Sequence, residues 1–334
     1  MRSQGAMVAI FSLPFLFFMH YTNNSMKTKI SVIGAGNVGA TVAELIARDG
    51  LADVVLFDIH EGLAKGKALD MTEACPLWNS SSTVTGTSNF EETAVSDIIV
   101  ITAGFPRKPG MSRDDLLHAN ADVIKSVTEG TVKHSPDSII IVVTNPMDVM
   151  AYTAMKVSGF SGQRVIGMGG VLDSSRFRAF VAMELGVSAE DVEALVLGGH
   201  GDQMVPLPRF TTVKGIPIPE LASNDKVERL IERTRNGGAE IVGLLKTGSA
   251  YYAPAAAAVQ MVKSILFDEK RLLPCSAYLD GQYGVSGIFL GVPVIIGKKG
   301  IEKIVELHLT EEEMSMFNKS ASAVKAMIDT LKLA

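Results

Sequence analysis

KISVIGAGNVG, residues 29–39, runs from a nearly continuous apolar segment through a glycine-rich turn into a helix. An apolar run of this kind suits a strand buried on both faces, as in a parallel sheet covered by helices. The turn has the order Gly34-Ala35-Gly36-Asn37-Val38-Gly39. Gly34 permits the tight bend, Gly36 lets the backbone approach a pyrophosphate, and Gly39 allows helix and strand to touch. The start of the helix offers free N–H groups and a partial positive charge to phosphate. A glycine pattern alone is weak, because many sheet proteins turn on glycines and bind nothing. Its place between strand and helix gives it weight.

Outward from that turn the same rhythm continues. DVVLFDI (53–59) reads as a second strand and carries Asp58 at its end, about twenty residues past the glycines. A carboxylate there accepts hydrogen bonds from a ribose diol and repels a 2′-phosphate, which favours NAD over NADP. DIIVITA (97–103) and SIIIVVTN (138–145) repeat the apolar run, and helical patterns fall at 38–48, 61–74, 114–134 and 147–157. Ser112 with Asp115 forms a capping-box start for the third of these. The alternation predicts a doubly wound α/β domain with a parallel sheet over residues 26–170.

Beyond residue 170 the pattern changes. A helix near 173–186 leads into VEALVLGGHGD, and a proline-rich stretch runs from Val205 to Glu220. Helical segments follow near 224–246 and 252–267, then many short β-like pieces from Arg271 to Leu309, then a helix from Glu311. This predicts an α+β domain with antiparallel strands over residues 171–334, packed on the first half with a cleft between them.

The chain has 334 residues, 47% hydrophobic and 20% charged, an ordinary globular composition with room for two domains. A net charge of −5 argues against nucleic acid or an anionic membrane as partner, so an anionic ligand must be held by local cations. The two cysteines, Cys75 and Cys275, lie far apart and outside any CxxC pattern. That argues against a disulfide scaffold or structural zinc and suits a reducing compartment. Residues 1–25 read differently. Ala6 to Met19 is an apolar run preceded by Arg2 and interrupted by Pro14, too short to span a bilayer comfortably. It has the length of a signal-peptide core, but no small-x-small cleavage site follows it. MKTKISVIG, from Met26, looks like a natural start. Residues 1–25 are expected to be an upstream mis-start or a targeting segment, outside the fold.

Three further segments carry chemistry. TAGFPRKPGMSRDDL (102–116) follows the third apolar strand, and its prolines and Gly110 make it a loop bearing Arg107, Lys108 and Arg113. A long loop at the carboxyl end of a parallel strand is where ligands bind in such sheets. Taken alone, it reads equally well as a solvated basic loop. Asp173 and Arg176 are three residues apart and share a helix face. His200 stands among glycines in LGGHGD (197–202), small neighbours that leave its ring accessible. An isolated histidine is more often structural, but glycines on both sides after an apolar strand favour function. Imidazole titrates near neutrality and suits taking the proton of a secondary alcohol. A carboxylate behind the ring would fix its tautomer. A guanidinium stabilises charge developing on a carbonyl oxygen or clamps a carboxylate.

Five motifs in order, IGAGNVG (33–39), TAGFPRKPGMSR (102–113), VVTNPMD (142–148), GVLDSSRF (170–177) and LGGHGD (197–202), resemble the lactate/malate dehydrogenase family. The resemblance extends from Met26 to the C-terminus. It implies an NAD-binding Rossmann domain followed by an α+β substrate domain, NAD as cofactor, no metal, and a cytoplasmic homodimer or homotetramer. It assigns His200 as proton acceptor and donor, Asp173 as its orienting partner, and Arg113 as the group that polarises the reacting carbonyl from a mobile loop. Arg176 would bind the adjacent carboxylate. Asn120 and Asn145 match positions that contact cofactor and substrate, Val143 lies along the nicotinamide side with Thr144 beside it, and Ser249, in GSAYYAP, matches a position lining the substrate pocket. Gly34 to Gly39 and Asp58 would hold the dinucleotide. Lactate-specific relatives carry an uncharged residue, commonly glutamine, where this chain has Arg107. The resemblance therefore implies malate and oxaloacetate, whose second carboxylate needs a cation. Lactate dehydrogenase is the nearest alternative, opposed by Arg107. An NAD-dependent glycosidase of related fold would need a metal held by cysteine and histidine, and LGGHGD has no cysteine beside it. A non-catalytic NAD-binding protein is disfavoured because every expected catalytic position is filled.

Overall fold

The four apolar runs become strands, with one further strand between the second and third and another after the fourth. In the computed structural model, which describes residues 28–106 and 112–331, they are β1 (Lys29–Ile33), β2 (Asp53–Phe57), β3 (Val84–Thr87), β4 (Ile98–Ile101), β5 (Ile139–Val142) and β6 (Val165–Gly167). All pair in parallel, in the order β3-β2-β1-β4-β5-β6. The chain leaves β1 toward one side for β2 and returns on the other side at β4. That reversal opens a crevice at the carboxyl ends of β1 and β4. Every residue of β4 and of β5 is buried, which is why these strands read as unbroken Ile/Val runs. Each such side chain contributes about 2 kcal/mol through burial.

Helices cover both faces: α1 (Asn37–Arg48), α2 (Glu61–Ala74), α3 (Arg113–Val132) and α4 (Met147–Ser158). The α3 start is as expected. The Ser112 hydroxyl accepts from Asp115 N–H at 3.0 Å, and the Asp115 carboxylate accepts from Ser112 N–H at 3.1 Å. The second half supplies α5 (Gly170–Leu185), α6 (Asn224–Leu245), α7 (Tyr252–Leu266), β7 (Arg271–Asp280), β8 (Ser286–Gly297), β9 (Gly300–Ile304) and α8 (Glu311–Leu331).

The antiparallel strands do not form a separate sheet. β7 pairs with β6 through Ser276 and Gly167, and β8 and β9 follow outward, so a single sheet has nine strands in the order β9-β8-β7-β6-β5-β4-β1-β2-β3. The junction depends on Gly167. A Cβ there would lie 2.7 Å from the Ser276 Cβ and 2.1 Å from the Met147 Sδ. Only a bare backbone lets β7 and α4 come this close. The main hydrophobic core accordingly runs through both halves, from Ile30 to Ile328. A smaller one, around Phe177, Val192, Ile218 and Leu230, lies under α5 and α6. The short β pieces expected between Arg271 and Leu309 are long strands of 10 and 12 residues followed by one of 5. Among the described residues no helix is long and apolar enough to cross a membrane.

Candidate active site

At the carboxyl end of β1 the chain turns at Gly34, whose φ of +106° suits glycine alone. Its N–H donates to Phe57 O at 2.8 Å, and the Thr102 hydroxyl donates to Gly34 O at 3.1 Å, so the turn is pinned to β2 and to the end of β4. Gly39 sits where α1 crosses this turn. A Cβ on it would be 1.8 Å from Gly34 O and 2.6 Å from Thr102 Oγ1. Gly36 faces open space, with nothing within 4 Å of where a Cβ would be, and it caps α1 without a side-chain hydrogen bond. The N–H groups of the first turn, at Asn37 and Val38, are therefore left for a ligand. Ala35 is held from both sides. Its N–H donates to Asp58 Oδ2 at 2.8 Å, and its carbonyl accepts from Lys67 Nζ at 2.8 Å. The other Asp58 oxygen accepts from His60 N–H at 2.9 Å. An open glycine at an uncapped helix start, with a fixed carboxylate at the next strand end, fits a dinucleotide. Gly39→Ala is expected to force α1 off β1, costing roughly 1–3 kcal/mol, and to weaken NADH binding. Thermal unfolding and fluorescence titration would check it, and an unchanged Tm with unchanged affinity would contradict the packing argument.

Two loops meet beside this crevice. Asn120, on α3 and 1% exposed, donates through Nδ2 to Asn145 O at 2.7 Å and to Phe105 O at 3.2 Å. Its Oδ1 accepts from Phe105 N–H at 2.7 Å. The side chain thus sews the end of the β4 loop to the end of β5. Thr144 donates to Ala103 O at 2.7 Å and closes the same seam. Val143 is buried beside it, whereas Asn145 is exposed. Arg107 and Lys108 lie outside the described residues.

His200 lies where the second half crosses back over α4 and α5. Gly198, with φ +79°, exchanges hydrogen bonds with Gly291 of β8 at 2.9 and 3.1 Å, which starts the turn. Gly199 N–H donates to Ser320 Oγ at 2.8 Å, and His200 N–H to Asp148 Oδ2 at 2.8 Å. The imidazole Nδ1 is 2.8 Å from Asp173 Oδ2, and the other Asp173 oxygen is 3.3 Å from Arg176 Nη1. Asp173 is 1% exposed and the imidazole 13%. The flanking glycines therefore shape the turn and its close contacts more than they expose the ring. A carboxylate on Nδ1 leaves Nε2 as the reactive nitrogen of the neutral ring. Burial by itself lowers the proton affinity of this imidazole. The charge and hydrogen bond of Asp173 and the charge of Asp148 outweigh it, with Arg176 opposing, and the pKa is raised above the ordinary value.

Arg176 is nearly covered, and its Nε is buried without a partner among the described residues. Gly237 on α6 makes room for it, since a Cβ there would be 3.1 Å from Arg176 Cδ. Arg113 begins α3 and reaches the His200 turn, pairing with Asp202 at 3.2 Å, both side chains largely exposed. Ser249 is exposed in the connection between α6 and α7. The structure thus gathers His200, Asp173, Arg176 and Arg113. Asp202 and Lys67 had no role in the sequence reading. Asp202 offered a local cue, two residues past the histidine, whereas Lys67 is one of many lysines on a helix.

A dinucleotide crevice joined through residues 142–148 to a carboxylate-backed histidine defines a nicotinamide-dependent dehydrogenase. Residues 28–167 match the lactate/malate dehydrogenase NAD binding domain, and residues 170–333 the lactate/malate dehydrogenase alpha/beta C-terminal domain. The chain belongs to the lactate/malate dehydrogenase family, and its cofactor is NAD. It is 55% identical over 307 residues to the malate dehydrogenase of Roseiflexus castenholzii, covering 92% of this chain and 99% of that one. The malate dehydrogenase structure from Salinibacter ruber aligns with TM-score 0.88 and 52% identity, covering 91% and 98%. A lactate dehydrogenase from Cryptosporidium parvum, solved with lactic acid and NAD, aligns with TM-score 0.89 and 45% identity, covering 92% and 99%. The two enzymes superpose on this chain about equally well, so the backbone does not choose between their substrates.

Proposed function

We propose that the protein catalyses the reversible NAD-dependent oxidation of malate to oxaloacetate, with His200 handling the hydroxyl proton. The observation that carries this is the Nδ1–Asp173 contact of 2.8 Å backed by Arg176. NAD, when bound, supplies the hydride acceptor. Asp58 and the Gly34–Gly39 turn hold its adenosine and pyrophosphate, and Val143 to Asn145 line the nicotinamide side. The unpartnered Nε and remaining N–H groups of Arg176 receive the carboxylate next to the carbinol carbon. Nε2 of His200 takes the hydroxyl proton as the hydride leaves, and Asp173 stabilises the imidazolium so formed. Arg113, released from Asp202 as the loop closes, polarises the carbonyl in the reverse direction. Arg107 receives the second carboxylate, and Ser249 contributes to the pocket wall. Asn120 acts by holding the two loops in register.

A homodimer or homotetramer in a reducing cytoplasm completes the reading, supported by the free, buried Cys75 and Cys275 and by exposed apolar residues such as Leu69 and Leu244.

The decisive assay offers oxaloacetate and pyruvate separately with NADH across a pH series. Oxaloacetate reduction consumes the imidazolium, so its kcat/KM falls as pH rises through the His200 pKa. Malate oxidation needs the neutral ring and rises through the same range. Because that pKa is raised, both limbs should lie above the ordinary imidazole range. A preference for pyruvate, or limbs displaced to lower pH, would overturn the reading.

A further inference from the structure

Asp148 is the second residue of α4, is 4% exposed, and carries two hydrogen bonds that join three parts of the chain. Its Oδ2 accepts from His200 N–H at 2.8 Å, and its Oδ1 accepts from the Ser276 hydroxyl on β7 at 2.6 Å. Nothing in the packing alone requires a carboxylate here, and a buried anion is costly unless it is paired. Burial, with the charge of Asp173, raises the Asp148 pKa above the ordinary carboxylate value, and Ser276, His200 N–H and the charge of His200 oppose that rise and favour the anion. Its place in the first turn of α4, which has no side-chain cap, adds the attraction of a helix N-terminus for an anion.

The charged groups facing His200 are Asp173 and Arg176 on α5 and Asp148 on α4. Those facing Asp148 are His200 and Asp173, with Ser276 of β7 as a hydroxyl donor. β8, packed on α4, carries no titratable side chain. Ser320 of α8 closes the set by holding Gly199, the residue before the histidine. With Asp148 ionised, this cluster has an excess negative charge while the imidazole is neutral and becomes balanced when the ring is protonated. Without that charge, Asp173 and Arg176 would cancel and the buried imidazolium would stand uncompensated. The demand is greatest during turnover, when a substrate carboxylate takes up the charge of Arg176.

Asp148 also lies three residues past Asn145, in the first turn of the helix that the short segment after β5 leads into. The same stretch of backbone that lines the crevice therefore fixes the histidine turn. We propose that Asp148 is a positioning residue for proton transfer: it anchors the His200 backbone to the cofactor-side segment and, as a second buried carboxylate, sustains the imidazolium. The proposal rests on His200 as the proton carrier.

The experiment reads the histidine itself, so its outcome is separable from that of the activity reading. The protein has six histidines, and the ring signal of His200 is identified by its loss in His200→Asn. In the protein without ligands, Asp148→Asn keeps an oxygen for the His200 N–H but removes the charge. The His200 titration should move to lower pH, the alkaline limb of oxaloacetate reduction should move with it, and NADH affinity should hold. Asp148→Ala, which removes the anchor as well, should lower kcat further, on the order of tenfold to a hundredfold. In the unaltered protein, the carbonyl carbon signal of Asp148 should be that of a carboxylate while His200 titrates. A His200 titration unmoved by Asp148→Asn overturns the proposal. So does a neutral Asp148 throughout that range, a measurement that stands even if the variants do not fold.

Discussion

His200→Asn is expected to lower kcat for oxaloacetate reduction by on the order of a thousandfold while NADH still binds. The residue is far from the glycine turn in sequence and touches neither Asp58 nor the start of α1, so the dinucleotide crevice should survive. Asparagine can still donate to Asp173 through its amide, which spares that buried carboxylate from isolation. What it lacks is a group that gains and loses a proton near neutrality. The remaining rate would come from Arg113 and Arg176 orienting the substrate, and the alkaline fall in activity should vanish along with the imidazole. Fluorescence titration with NADH and steady-state rates across pH check both halves. Near-normal turnover would remove His200 from the chemistry, whatever the quality of its contact with Asp173.

The parts legible from sequence were those whose cause is local. Ile98–Ile101 and Ile139–Val142 read as buried strands because both faces are covered, and the Ser112–Asp115 capping box forms as its spacing implies. β3 escapes a pattern-based reading because VTGT has one apolar residue, with Thr85 exposed and Gly86 packed against α2, and β6 because three residues carry no period. α5 begins at Gly170, before the expected position, since its N-cap Gly169 has no side chain to announce it. The joining of the two halves into one sheet depends on a single pairing between Gly167 and Ser276, invisible to any window of sequence. The same holds within the site. Asp173 and Arg176 are helix neighbours and could be paired on spacing. By contrast, the bonds from Asp148 span 52 residues to His200 and 128 to Ser276, and Arg113 meets Asp202 across 89. Function was read from motifs, whereas the forces that set the histidine's proton affinity come from contacts remote in sequence.

The second large effect concerns choice of substrate. Since the fold serves malate and lactate enzymes alike, selectivity must lie in a few side chains that meet the group distinguishing oxaloacetate from pyruvate. That group is a carboxylate in one and a methyl in the other. Arg176 is already assigned to the carboxylate common to both, and Arg113 to the reacting oxygen. The remaining cations of the loop are Arg107 and Lys108. A guanidinium offers the planar fork that a carboxylate accepts, whereas an ammonium is a point charge, so Arg107 is the residue proposed for the task. Arg107→Gln should cost oxaloacetate roughly 3–5 kcal/mol of transition-state binding, about two to four orders of magnitude in kcat/KM. Pyruvate should gain, because an unpaired guanidinium no longer faces its methyl group under the closed loop. Lys108→Gln, one residue along, should leave the ratio nearly unchanged and so separates a specific pair from general loop charge. If Arg107→Gln keeps its selectivity, or if both variants lose it equally, discrimination does not arise from a carboxylate–guanidinium match at position 107.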